Sequence, residues 1–242
     1  MAGSVDSPSF SLGYVPGVTP GKWARIWAER RPSVPLDLVS TTAAAAAGLA
    51  REGAVDAVLL RLPTDRDGLH AIPLYTETTV VVVPKDHVVT AAEEVSPADL
   101  ADELVLHPLD DALGWTAPPG RPAIERPATT GAAIELVAAG VGLLVVPQSL
   151  ARLHHRKDLT YRPVADVPQS RVALAWPEDG TGDLVEEFIG VVRGRTANST
   201  RGQQERASAR GERPAKTVRA KPAANRAPRP GGRSGKGKPR RR

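Results

Sequence analysis

The final fifty residues, Arg193 to Arg242, hold seventeen lysines and arginines against two acids, Glu205 and Glu212. The preceding stretch, Met1 to Val192, holds fifteen basic and twenty-five acidic side chains, so the net charge of +5 hides an acidic body and a strongly basic tail. This split limits what can fold. The tail has no Phe, Trp, Tyr, Leu, Ile or Met, and its one large aliphatic residue is Val218. Ordering backbone costs roughly 1–2 kcal/mol per residue, and the tail has no apolar area to bury in return. Pro214, Pro222, Pro228, Pro230 and Pro239 interrupt any helical run. Residues 193–242 are therefore expected to be a disordered Lys/Arg-rich tail. The body has the length of one large domain or two small lobes.

Several function classes drop out on composition. With no cysteine in the chain there is no disulfide, no thiolate nucleophile and no thiolate metal site. Residues 1–8 are short and polar, a flexible start without the basic and apolar regions of a secretion signal. No run approaches the roughly eighteen apolar residues of a membrane span, so a cytoplasmic protein is expected. No Gly-x-Ser-x-Gly elbow, His-Glu-x-x-His pair or placed carboxylate pair is present, which argues against an enzyme. His154 and His155 are adjacent and point about 100° apart on a helix, so they cannot share a metal as an i,i+4 pair would. Neither a cofactor nor a metal is expected. Gly231 to Gly237 superficially suggests a phosphate loop but lacks its spacing and the hydroxyl after the lysine.

The body alternates strand and helix signals. Phe10 to Val15 reads as a strand, and Thr19-Pro20 then gives a capping hydroxyl followed by proline at the first helical position. Trp23, Ile26 and Trp27 follow at helical spacing, and Pro32 ends the run. Leu36 to Val39 is a second strand, Thr41 and Thr42 cap an Ala-rich helix, and Val55 to Leu62 reads as a strand buried on both faces. Thr79 to Pro84 reads as a strand running out of one lobe toward another. Leu104 to Leu106, a helix capped at Thr129 or Thr130, and Val141 to Val146 repeat the pattern. Arg171 to Trp176 and a helix from Asp183 complete it. Strand–helix alternation of this kind predicts an α/β fold with parallel sheets.

In such folds ligands bind beyond the strand C-termini, where helix starts present free N–H groups. Thr19, Thr41, Thr42, Thr129 and Thr130 are candidates to bind a polar ligand there, and each is equally placed to be a simple helix cap. Arg61 interrupts an apolar run at a strand end. It either clamps a ligand carboxylate, pairs with Asp56 or Asp65, or lies in solvent. His107 ends the strand Leu104 to Leu106 and is either a ligand partner or a loop residue.

Four segments in order resemble the effector-binding domain of LysR-type transcriptional regulators. They are Ser11-Leu12-Gly13-Tyr14 leading to Arg31-Pro32, then Leu49 to Val58 with Gly68-Leu69 and Pro73-Leu74-Tyr75, then Val82 to His87, and Leu136 to Pro147. The resemblance covers roughly Ser9 to Val192. It implies two Rossmann-like lobes joined by two crossover segments, a variant of the type 2 periplasmic-binding-protein fold. Residues 9–83 with 163–192 would form lobe I, and residues 84–162 lobe II. It further implies a small organic or amino acid-like effector held between the lobes, and a homodimer formed side by side. Family members carry a winged helix-turn-helix ahead of this domain, whereas the first strand here starts near Phe10.

The tail then becomes a candidate for non-specific DNA or RNA contact through Arg229, Arg233, Lys236, Lys238, Arg240, Arg241 and Arg242, with strong salt dependence. It is equally suited to solvation or to contact with the acidic body. A nucleic-acid-associated structural protein whose body binds no ligand is the competing reading.

Overall fold

The computed structural model describes residues 8–195, and the basic residues proposed for nucleic-acid contact lie outside them. The first lobe opens with β1 (Phe10–Tyr14), α1 (Gly21–Arg30), β2 (Leu36–Ser40), α2 (Ala43–Arg51), β3 (Ala57–Leu62) and β4 (Leu69–Thr76). The second holds β5 (Thr79–Pro84), β6 (Leu104–Leu106), β7 (Arg121–Pro122), α3 (Thr130–Ala138), β8 (Leu143–Pro147), α4 (Gln148–Leu153) and β9 (Leu159–Pro163). The chain then returns to the first lobe with β10 (Arg171–Pro177) and α5 (Asp183–Val192).

The two sheets have the same design. In the first the order is β2-β1-β3-β10-β4, with β1 parallel to β2 and β3 and with β10 antiparallel to both its neighbours. In the second the order is β7-β6-β8-β5-β9, with β6 parallel to β7 and β8 and with β5 antiparallel to both its neighbours. Each lobe thus lends one strand position to a segment that enters from a crossing. The α/β fold of two lobes joined by two crossovers is the one expected.

The lobe boundary differs from the expectation. The expected boundary puts the valine run Thr79–Pro84 in the first lobe up to Val83, yet all of it pairs within the second sheet, between β8 and β9. A strand buried on both faces needs backbone partners on both edges, and the second sheet supplies them. The crossing therefore shrinks to Glu77 and Thr78. The return crossing follows β9, a strand whose mixed Leu-Thr-Tyr-Arg-Pro sequence gave no clear signal.

Helix starts follow local chemistry in two of three cases. Thr42 Oγ1 accepts from the Ala45 N–H at 3.2 Å, and Thr129 Oγ1 accepts from the Ala132 N–H at 3.1 Å. Thr19 does not cap. Pro20 is already helical (φ −74°, ψ −8°), so the Trp23 and Ala24 amides bond to its carbonyl and the Thr19 hydroxyl sits one residue too early.

In the first lobe the core centres on Phe10, Trp27 and Phe188, all fully buried, with ring centroids 5.0, 5.1 and 5.7 Å apart. Trp27 also donates from Nε1 to the Val34 carbonyl at 2.9 Å. Its place is the core, with half-buried Trp23 packed against it, so Trp27 is not free for a subunit interface. In the second lobe alternate valines of β5 serve the two faces. Val80 and Val82 meet Ile134 and Val137, while Val81 and Val83 meet Val95 and Leu100. Among the described residues no helix is long and apolar enough to cross a membrane.

Replacing Trp27 by Ala removes the central ring of the aromatic trio and leaves the Val34 carbonyl without its donor. Denaturant unfolding should report a loss of about 3–5 kcal/mol, and a loss under about 1 kcal/mol would show that the trio is not the core's anchor.

Candidate functional site

The parallel strands of both sheets end toward the gap between the lobes. From the first lobe come the loop after β1 (Pro16, Gly17), Thr41 and Thr42 after β2, and Pro63 after β3. From the second come the loop after β6 (His107 to Trp115), the start of α3 after β7, and the start of α4 after β8. Arg61 and Ser149 bond to one another across the gap beside Gly17. Gly17, at φ +82°, packs so closely that a Cβ there would lie 2.8 Å from Ser149 Oγ and 3.0 Å from Arg61 Nη2. Glycine is required there for both space and conformation. On the other side a Cβ at Gly114 would stand 3.8 Å from Pro63.

Beneath the first contact lies a buried polar network. Arg61 Nε donates to Glu77 Oε2 at 2.7 Å, Nη1 to the Pro16 carbonyl at 2.8 Å, and Nη2 to Ser149 Oγ at 3.0 Å. Glu77 also accepts from Ser149 Oγ through its other oxygen, and from Ser170 Oγ at 2.9 Å. The two ionic side chains are only 6% and 4% exposed. One carboxylate at the first crossing thus receives donors from β3 of the first lobe, from α4 of the second, and from the return crossing. Two further bonds reinforce it: the Glu77 N–H donates to the Ser170 carbonyl and the Thr79 hydroxyl to the Pro168 carbonyl. Burial, followed by the nearby Glu77 carboxylate, raises the pKa of the partly exposed Tyr75 phenol, with Arg61 acting in the opposite direction.

Arg61 therefore meets neither Asp56 nor Asp65, and it is not in solvent; its carboxylate partner is Glu77. Asp56 instead receives the Ser11 amide and hydroxyl, both at 2.7 Å. His107 Nε2 lies 3.3 Å from Asp111 Oδ2, and Asp111 also accepts the Leu113 and Trp115 amides at 2.9 Å each. Thr130 is buried, and its amide and hydroxyl both donate to Asp110 Oδ1, at 2.7 and 2.9 Å. Arg126 clasps the same loop by donating to the carbonyls of His107 and Pro108. Thr41 is half-buried with its amide bonded to the Tyr14 carbonyl, while Thr19, Thr42 and Thr129 remain exposed.

Sequence reasoning missed Glu77, Asp110, Asp111, Ser149 and Ser170. Two signals were present: a lone acid between two strand runs, and an acidic pair three and four residues past a strand-ending histidine. Among the described residues no buried side-chain nitrogen or oxygen lacks a partner, and no group of three or more His, Asp or Glu is arranged to hold a metal. Two open hollows of about 390 and 590 Å³ flank edge strand β4 on the first lobe, away from the gap, and share His70 and Ala71.

This fold and gap agree with the family match: the LysR substrate binding domain matches residues 7–197. The chain belongs to that family. A probable hydrogen peroxide-inducible genes activator of Mycobacterium avium is 30% identical over 208 residues, covering 79% of this chain and 67% of the relative. The HTH-type transcriptional regulator AlsR of Bacillus subtilis is 27% identical, covering 68% and 58%. The Hca operon transcriptional activator HcaR of Escherichia coli is 25% identical, covering 80% and 67%. The chain thus spans about two thirds or less of the regulators it matches. Among solved structures, the BenM effector binding domain with its effector benzoate superposes at TM-score 0.66 and 20% identity, covering 81% of this chain and 98% of that one. The oxidized form of OxyR does so at 0.64 and 23%, covering 79% and 97%. Both share the fold.

The Arg61–Glu77 pair makes a sharp prediction. Glu77→Ala strands a buried guanidinium and should lower unfolding stability by about 3–5 kcal/mol, while Arg61→Met with Glu77→Leu should recover most of that loss. A loss in the double variant equal to the sum of the Arg61→Met and Glu77→Leu losses, measured in urea, would show that the charges are not coupled.

Proposed function

We propose that this protein is a non-enzymatic, cytoplasmic effector-binding protein of transcription regulation, whose lobes close on a small organic or amino acid-like molecule. The observation that carries this reading is the gap itself. Two mixed sheets aim the C-terminal ends of their parallel strands at one another across two short crossings, in a family of transcription regulators. Thr41, Thr42, Thr129 and His107 are the side chains that meet the effector, with Thr19 at the rim. Arg61 and Thr130 shape the floor through their internal partners.

Chemistry narrows the signal. The Mycobacterium avium relative is named for hydrogen peroxide-inducible genes, but this chain has no cysteine, so reversible thiol oxidation is not open to it. A binding signal remains, and a ligand moves the lobes only by its differential affinity for two arrangements. The effector-binding unit pairs side by side as a homodimer. Edge strand β2 and helix α3 leave Leu38, Val39 and Leu136 exposed in keeping with such pairing, and sedimentation should show a concentration-dependent dimer mass.

The tail supplies sequence-independent attraction to nucleic acid through Arg229, Arg233, Lys236, Lys238, Arg240, Arg241 and Arg242. The logarithm of duplex DNA affinity should fall with the logarithm of salt by about 0.9 for each phosphate contacted, and removal of residues 196–242 should abolish binding. Affinity that survives this truncation would sink the tail's role. For the gap, a thermal-shift screen of small organic molecules should find at least one that stabilises the full chain. If no ligand class shifts it while the chain still retards DNA, the reading as a nucleic-acid-associated structural protein replaces this one.

A further inference from the structure

Two short crossings side by side have the form of a hinge, and a hinge alone leaves the angle between the lobes free. Glu77 and Thr79 bond to Ser170 and Pro168, so these ties stay within the hinge. Among the described residues no salt bridge runs from one lobe to the other. Away from the crossings a single side-chain hydrogen bond does. It runs from Arg61 Nη2, on β3 of the first lobe, to Ser149 Oγ, on α4 of the second, at 3.0 Å. The same hydroxyl donates to Glu77 in the first crossing.

Ser149 thus accepts from the cation and donates to the anion of one buried pair. Its place is held from both sides. The neighbouring Gln148 N–H donates to the Thr78 carbonyl at 2.9 Å, which hangs the start of α4 from the crossing. Gly17 closes over the hydroxyl from the first lobe, so near that a Cβ there would stand 2.8 Å from Oγ. A swing of the lobes at this point parts Ser149 from Arg61 and Glu77. Charged groups this deeply buried resist losing a hydrogen-bond partner. At the open end of the gap Thr42 and Thr129 cap only their own helices.

We propose that the Ser149 hydroxyl is a latch that sets the resting angle between the lobes. An effector then meets a gap of preset width, which lowers the ordering cost of binding. Ser149 is a positioning residue here, acting through the lobe arrangement. The latch's part in sensing rests on the effector-binding reading above, whereas the latch itself does not.

The test reads the distance between the lobes in the full chain. The sequence has no cysteine, so Glu52→Cys on the first lobe and Glu94→Cys on the second, both exposed, give unique positions for spin labels. Pulsed electron paramagnetic resonance on labelled chain diluted with unlabelled chain then reports distances within one molecule. The doubly labelled chain should show one narrow distance, and addition of Ser149→Ala should broaden or displace it. Ser170→Ala is the matched control. It removes another hydroxyl from Glu77, but one carried by the return crossing, and should leave the distance narrow. A broad distance before Ser149 is changed, no effect of Ser149→Ala, or equal broadening by Ser170→Ala would each overturn the proposal. Where Ser149→Ala fails to fold, Gly17→Ala pushes the same hydroxyl away, and an unchanged distance there would overturn it equally. No effector is needed, so a ligand screen without a hit defeats the effector-binding reading and leaves the latch standing.

Discussion

One buried carboxylate, Glu77, holds the architecture together at its narrowest point. It stands where the chain first leaves one lobe for the other, and it gathers donors from β3, from α4 and from the return crossing. A charge with so little solvent contact survives only where its partners are fixed, so each of those elements is constrained by the same group. Gly17 and Ser149 can approach across the gap because the guanidinium beneath them is already neutralised. The lobes are therefore tied at the crossing and open toward Thr42 and Thr129.

The doubled sheet design explains why the gap lies where it does. Each five-stranded sheet has three adjacent parallel strands that end toward its counterpart, then a strand that runs against them as the chain passes between lobes, and a fifth that runs against that one. Loops after β1, β3, β6 and β8 are thereby delivered to one place. The chemistry of the region comes from what those loops carry, and most of it is turned inward. Asp110 and Asp111 tie the loop after β6 to the start of α3, to His107 and to the loop's own amides.

Much of the fold was legible in the sequence because it rests on local rules. Threonine caps at Thr42 and Thr129, the Ala-rich helix between Thr42 and β3, and the valine run of β5 each follow from residue chemistry over a short window. The lobe to which β5 belongs was not legible, since a doubly apolar strand fits either sheet and only its distant partners β8 and β9 decide. Thr19 misled because the proline after it was itself helical. The site was less readable. Arg61 stood out as a charge in an apolar run, but its partner lies sixteen residues on and the supporting serines are 88 and 109 residues away in sequence. Pairings of that range are set by the fold and leave no periodic trace.

The placement of β10 has a consequence for how the chain is made. All seven elements of the second lobe, from β5 to β9, lie in one unbroken stretch, so that lobe has its whole sheet once Pro163 has left the ribosome. The first lobe cannot match this. Its strands β3 and β4 are separated by the width of a strand that arrives only with Arg171–Pro177, and until then each presents an open edge. Synthesis therefore finishes the later-numbered lobe first and leaves the earlier one waiting, with the segment from Arg171 to Val192 acting as its keystone.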